Sequence, residues 1–114
     1  MERLLQQNRH LWDLLEAIVL LKDSQEAGRF FRDLCTPTEL ETLAERWLVV
    51  RMLEQKLPYR QISRETGAST ATVTRVAHWL KRGDGGYRLM LDRLEEGICG
   101  DGPLDEDRED EAQR

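Results

Sequence analysis

The 114-residue sequence predicts an all-helical fold, and three observations carry that prediction. Apolar residues recur at three- and four-residue steps from Leu4 to Leu21, the signature of a long amphipathic helix. The stretch Thr36-Pro37-Thr38-Glu39 is a complete helix start: a hydroxyl cap, proline at the first helical position and glutamate at the third. No segment shows the strict alternation of a half-buried strand, and no internal repeat is present. The length fits one domain.

The first helix takes Leu4, Leu5, Leu11, Trp12, Leu14, Leu15, Ile18, Val19 and Leu21 as a stripe wide enough to need a partner. A second helix follows, with Asp23 or Ser24 as its cap and Phe30, Phe31 and Leu34 on its buried side. The helix opened by Thr36 runs to about Gln55, with Leu40, Leu43, Ala44, Trp47, Val50, Met52 and Leu53 as candidate core. Lys56-Leu57-Pro58 ends it, because the residue before proline disfavours helical backbone. Pro58 to Thr66 forms a short helix that Gly67 closes in left-handed conformation, and Ser69 caps the next, which runs to about Lys81. After Gly83, the Gly-Asp-Gly-Gly run gives a mobile break. A last amphipathic helix then sets Tyr87, Met90, Leu91 and Leu94 on one side. From Gly100 the chain is acidic and almost free of apolar residues, which predicts a helical domain over residues 1–99 and a disordered acidic tail over 100–114.

The net charge of -5 divides unevenly. From Asp101 onward seven acids face Arg108 and Arg114, which accounts for all of it; residues 1–100 hold 15 acids and 15 bases. Within that neutral body Lys56, Arg60, Arg64, Arg75, Lys81 and Arg82 face Glu65 alone, so residues 56–82 carry +5. Local basic charge is what a nucleic-acid footprint requires. Hydrophobic residues are 39% and charged residues 34% of the chain, so a lone monomer has a modest core and an oligomer is expected. Cys35 and Cys99 stand far apart with no metal-ligand grouping, so neither zinc, another cofactor nor a disulfide framework is indicated. No run reaches membrane-spanning length and the N-terminus lacks a signal-peptide apolar core, so a cytoplasmic protein is expected. Nucleophile-base pairs, paired carboxylates and phosphate loops are absent from the pattern, which argues against an enzyme.

Helix, three-residue turn, helix over residues 58–81 reads as a helix-turn-helix. Ile62, Ser63 at the helix crossing, Ala68, Val73 and Val76 face inward, with Ser63 standing where alanine is usual. The second helix then presents Ser69, Thr70, Ala71, Thr72, Thr74 and Arg75 to a major groove. Short side chains admit the backbone, methyls meet thymine methyls and a guanidinium forks onto guanine or phosphate. Tyr59, Arg60, Gln61 and Arg64 on the first helix are placed to hold the DNA backbone. Without DNA the same pattern is an ordinary helical hairpin with a solvated basic face.

The segments "FFRDLCTPTELETLAERW", "YRQISRETGASTATVTR" and "GDGGYRL" together resemble the Trp repressor superfamily, most closely its YerC/YecD branch, over roughly Phe30 to Leu94. The resemblance implies six helices per chain, an intertwined homodimer, and helices four and five as the unit that reads double-stranded DNA. It also implies an effector pocket. The arginines that flank L-tryptophan in the family fall on Arg46 and Arg75, and a ligand-contacting threonine falls on Thr36. A glycine beside the indole corresponds to Val76 and a serine to Trp79; both departures fill space, so L-tryptophan is not carried over as corepressor. Trp12, Trp47 and Trp79 are expected as core or dimer anchors, and His10 and His78 as surface residues. The rival function is a protein-interaction module that turns the same helical dimer and basic face toward an acidic protein.

Overall fold

The computed structural model describes residues 2–97; Cys99 and the acidic tail of 100–114 lie outside the described residues. Seven helices follow one another: α1 Glu2–Gln7, α2 Arg9–Ile18, α3 Ser24–Leu34, α4 Pro37–Glu54, α5 Tyr59–Thr66, α6 Thr70–Arg82 and α7 Gly86–Glu95. No described residue lies in a strand, and no described helix is long and apolar enough to cross a membrane. The chain divides into two compact units, one up to Asp33 and one of Leu34–Gly97.

In the first unit the expected single helix of 4–21 is two helices. Asn8 takes extended backbone between them (φ -139°), and its Oδ1 accepts the Leu11 N–H at 3.1 Å. An amide side chain that can bond the backbone three residues on competes with continuous helix, and here that local bond prevails. Among the described residues the count therefore rises from six helices to seven. Asp23, rather than Ser24, caps α3: its Oδ1 accepts the Glu26 N–H at 2.8 Å, while Glu26 Oε1 accepts the Lys22 N–H at 2.9 Å. Phe30 and Phe31 pack edge to face, with ring centres 5.6 Å apart, and both are half-buried. Leu34 is exposed, contrary to its expected place on the buried side. Neither α2 nor α3 contains a buried residue, and Trp12, Val19 and Leu20 are 50%, 77% and 73% exposed.

In the second unit α4 begins as its sequence dictates. Thr36 Oγ1 accepts the Glu39 N–H at 3.1 Å and Glu39 Oε1 accepts the Thr36 N–H at 2.8 Å, so two donors of the first turn are satisfied reciprocally. Its other end is stopped by Lys56 rather than by the proline alone. Lys56 is left-handed at φ 66°, its N–H donates to the Leu53 carbonyl at 2.9 Å, and Leu57 N–H donates to the Met52 carbonyl at 3.4 Å. This paired closure is ordinarily built on glycine.

The core of this unit is Val49, Val50 and Met52 of α4, Ile62 of α5, Ala68 of the turn, Val73 and Val76 of α6 and Leu91 of α7. Trp47, Leu53, Leu57, Leu80 and Tyr87 pack against it half-buried. Val49, fully buried, was not among the expected core residues, whereas Leu43 and Ala44 of α4 are exposed. The buried part of α4 starts near Trp47, and its first turns contribute nothing to this core. Met90 on α7 is likewise half exposed, although its neighbour Leu91 is buried. A two-point clamp joins α7 to α4: Arg88 Nη2 and Nη1 donate to the two oxygens of Glu54 at 2.7 and 3.1 Å.

Candidate nucleic-acid interface

Three local signals build the turn between α5 and α6. Gly67 closes α5 at φ 84°, a conformation in which a Cβ is strained, and its N–H returns to the Ser63 carbonyl. Thr66 Oγ1 donates to the Ile62 carbonyl at 2.8 Å and accepts the Ala68 N–H at 3.1 Å. Ser69 then caps α6, its oxygen accepting the Thr72 N–H at 3.1 Å. The buried residues follow the expected inward set: Ile62, Ala68, Val73 and Val76 are buried and Ser63 is half-buried at the crossing.

With Val73, Val76 and Ala77 inside, α6 turns Thr70, Ala71, Thr74 and Arg75 to solvent. These four share one shallow surface depression with His78 and Trp79, whose rings meet edge to face 5.2 Å apart. His78 and Trp79 extend the predicted face by one turn; their spacing of four residues from Thr74 and Arg75 was the signal for it. Trp79 is thus on the surface of the single chain, as is Trp12, and only Trp47 packs against the core. His10 is exposed as well. Two members of the predicted set have local duties: Ser69 Oγ caps the helix and donates to Thr72 Oγ1 at 3.1 Å, and Thr72 is half-buried.

On α5, Tyr59, Arg60 and Arg64 are exposed. Pro58 is the N-cap and makes no side-chain cap bond, so the amides of the first turn keep free hydrogen-bonding capacity at the positive end of the helix. Gln61 is half-buried and its Nε2 donates to Glu65 Oε2, on the lone acid of the basic segment, at 3.0 Å.

The residues expected around an effector stand at the cap of α4, on α4 and on α6. Thr36 commits its oxygen to the α4 cap, Arg46 and Arg75 are exposed, and Val76 is 4% exposed within the core. The depression containing Arg75 and Trp79 has neither Thr36 nor Arg46 in its lining.

Comparison with known proteins converges on one family. A family model described as Trp repressor protein matches residues 9–95. An uncharacterized Bacillus subtilis protein, YerC, is 47% identical over 88 residues, covering 77% of this chain and 85% of that one. A Trp operon repressor homolog of Chlamydia caviae is 33% identical over 89 residues, covering 76% and 88% of the two chains. The crystal structure of a TrpR-like protein from Eubacterium eligens superposes with a TM-score of 0.72 at 39% identity, covering 82% of this chain and 95% of that one. Motif, fold and identity agree over the same segment, and the chain belongs to the Trp repressor family.

Proposed function

We propose that this protein is a homodimeric, sequence-specific DNA-binding transcription regulator, a repressor in the manner of its family, and not an enzyme. The observation that carries the reading is the two-sidedness of α6: Val73, Val76 and Ala77 are buried while Thr70, Ala71, Thr74 and Arg75 stand exposed together. A helix so divided offers donors, methyls and one guanidinium to base edges. Tyr59, Arg60, Gln61 and Arg64 would fix the DNA backbone beside it, with Ser69 and Thr72 shaping the entry of α6. The net charge of +5 over residues 56–82 supplies the attraction.

The dimer is supported by the apolar residues that one chain leaves uncovered on α2 and around α3, among them Trp12, Val19 and Leu20. Two recognition helices related by a two-fold axis read half-sites about one helical turn apart, so the operator is a palindrome. Residues 1–99 form the DNA-binding domain in this reading, residues 100–114 a separable acidic tail, and the protein works in the cytoplasm. DNA binding is independent of L-tryptophan, because Val76 and Trp79 stand where the family's ligand needs space.

Selection of bound sites from a random DNA pool, followed by fluorescence anisotropy on the selected duplex at two salt concentrations, tests the proposal. A palindromic site whose affinity falls steeply with salt is expected. Absence of any salt-sensitive binding would sink it, and partner capture that survives nuclease treatment would turn the basic face over to an acidic protein.

A further inference from the structure

A second concavity lies where the end of α4, the start of α5, the end of α6 and the start of α7 come together, with Tyr59 of the proposed DNA-backbone set in its lining. Its volume is about 740 Å³, within the span of ordinary small-molecule sites. Leu53, Leu57 and Leu80 give it an apolar floor, and all three are half-buried members of the core's outer layer. Its acid, Glu54, is neutralised by the two-point Arg88 clamp. Its other cations are Lys56, whose charge also acts on Glu54, and Lys81; neither forms an ion pair among the described residues.

We propose that this groove binds a small amphipathic anion: an alkyl or aryl body on the leucine floor, and a carboxylate or phosphate monoester between Lys56 and Lys81. Two cations beside an apolar floor select for one chemistry. A neutral apolar ligand would leave the ammonium groups partly desolvated without a partner, and a cation would be repelled. The backbone points the same way. Lys56 holds the left-handed conformation at φ 66° where glycine would be unstrained, so the position keeps a side chain at a conformational cost. The site stands whether or not the recognition face reads DNA. Because its walls belong to α4 and α6 alike, an occupant touches both the core helix and the helix that carries Thr74 and Arg75.

Methyl NMR of the full chain decides it, with octanoate, octylammonium and octanol as probes. Octanoate should shift the Leu53, Leu57 and Leu80 methyls saturably, and octylammonium should bind at least roughly tenfold more weakly, the scale of one charge-assisted hydrogen bond. Lys56→Gly and Lys81→Gln should each weaken octanoate by a similar factor. Lys56→Gly should melt no lower than the parent, since glycine suits the left-handed position, so its lost binding cannot be ascribed to unfolding. Octylammonium binding equal to octanoate would overturn the proposal. So would the absence of saturable shifts, and so would a fall of roughly three to four in the log-affinity versus log-salt slope on duplex DNA of the variant carrying both Lys56→Gly and Lys81→Gln, the scale of two lost phosphate contacts in each chain of the dimer. That second result would hand both lysines to the DNA backbone.

Discussion

The Ser63 hydroxyl donates a 2.6 Å hydrogen bond to the Ala68 carbonyl, tying α5 to the residue that precedes the cap of α6. Where alanine is usual, this serine adds a cross-turn link. Ser63→Ala should therefore lower stability by about 1 kcal/mol, the net worth of a typical buried hydrogen bond, and leave DNA selectivity in place. Ser63→Leu should do more harm, because a branched side chain at the crossing forces the two helices apart. Urea melts of the two variants, compared with anisotropy on the selected duplex, separate the effects.

Thr74→Ala with Arg75→Ala should abolish selective DNA binding while leaving the fold intact. Both side chains are exposed on the outer face of α6 and absent from the core, and a good base contact is worth ~1–3 kcal/mol. Retention of full selectivity by a variant with unchanged melting would show that the helix is faced incorrectly.

The Arg88 clamp holds the Glu54 carboxyl below its ordinary range, the hydrogen bond to Arg88 outweighing partial desolvation, with the charges of Arg88 and Lys56 adding to it. A carboxyl depressed in the folded state stabilises above its unfolded pKa, and that contribution is lost as pH falls through the folded value. Glu54→Gln should thus melt lower than the parent at neutral pH, and the gap should close below roughly pH 4. Both partners are over a third exposed, at 39% and 45%, so the gap is small and shrinks further in high salt.

Deleting residues 101–114 removes seven acids and two bases. Affinity for DNA at low salt should rise, because tethered negative charge within a screening length of about 10 Å competes with phosphate for the basic segment. Melting temperature should hardly move. A large drop would show that the segment packs on the fold.

Free L-tryptophan should neither bind nor tighten DNA binding. Val76 is built into the core and presents a branched, rotamer-restricted group, and overpacking of that kind costs ~1–3 kcal/mol. Titration calorimetry with millimolar L-tryptophan, repeated with the selected duplex present, checks this. Saturable heat would reverse the assignment.

Features fixed by a few neighbouring residues were legible in the sequence. The Thr36–Glu39 box, the Gly67 closure, the Ser69 cap and the inward set of Ile62, Ala68, Val73 and Val76 are each determined within a turn or two of chain. Asn8 escaped because its break depends on a competition between one side-chain bond and nine apolar residues that favour a continuous helix. Lys56 escaped because no glycine marks its left-handed turn. Exposure of Leu43 and Met90 depends on what packs above them, which periodicity does not specify. The groove between Lys56 and Lys81 was beyond reach for the same reason: four separate segments assemble it.

The uncovered apolar side chains on α2 and just after it have a consequence for dose. In the proposed dimer, the surface around Trp12, Val19 and Leu20 is covered only when two chains meet, so the DNA-competent species grows with the square of chain abundance while monomer dominates. Operator occupancy then responds to expression more steeply than in proportion. A twofold change in synthesis then becomes a larger change at the promoter, and the sharpness of the switch resides in a segment far along the chain from the residues proposed to touch DNA.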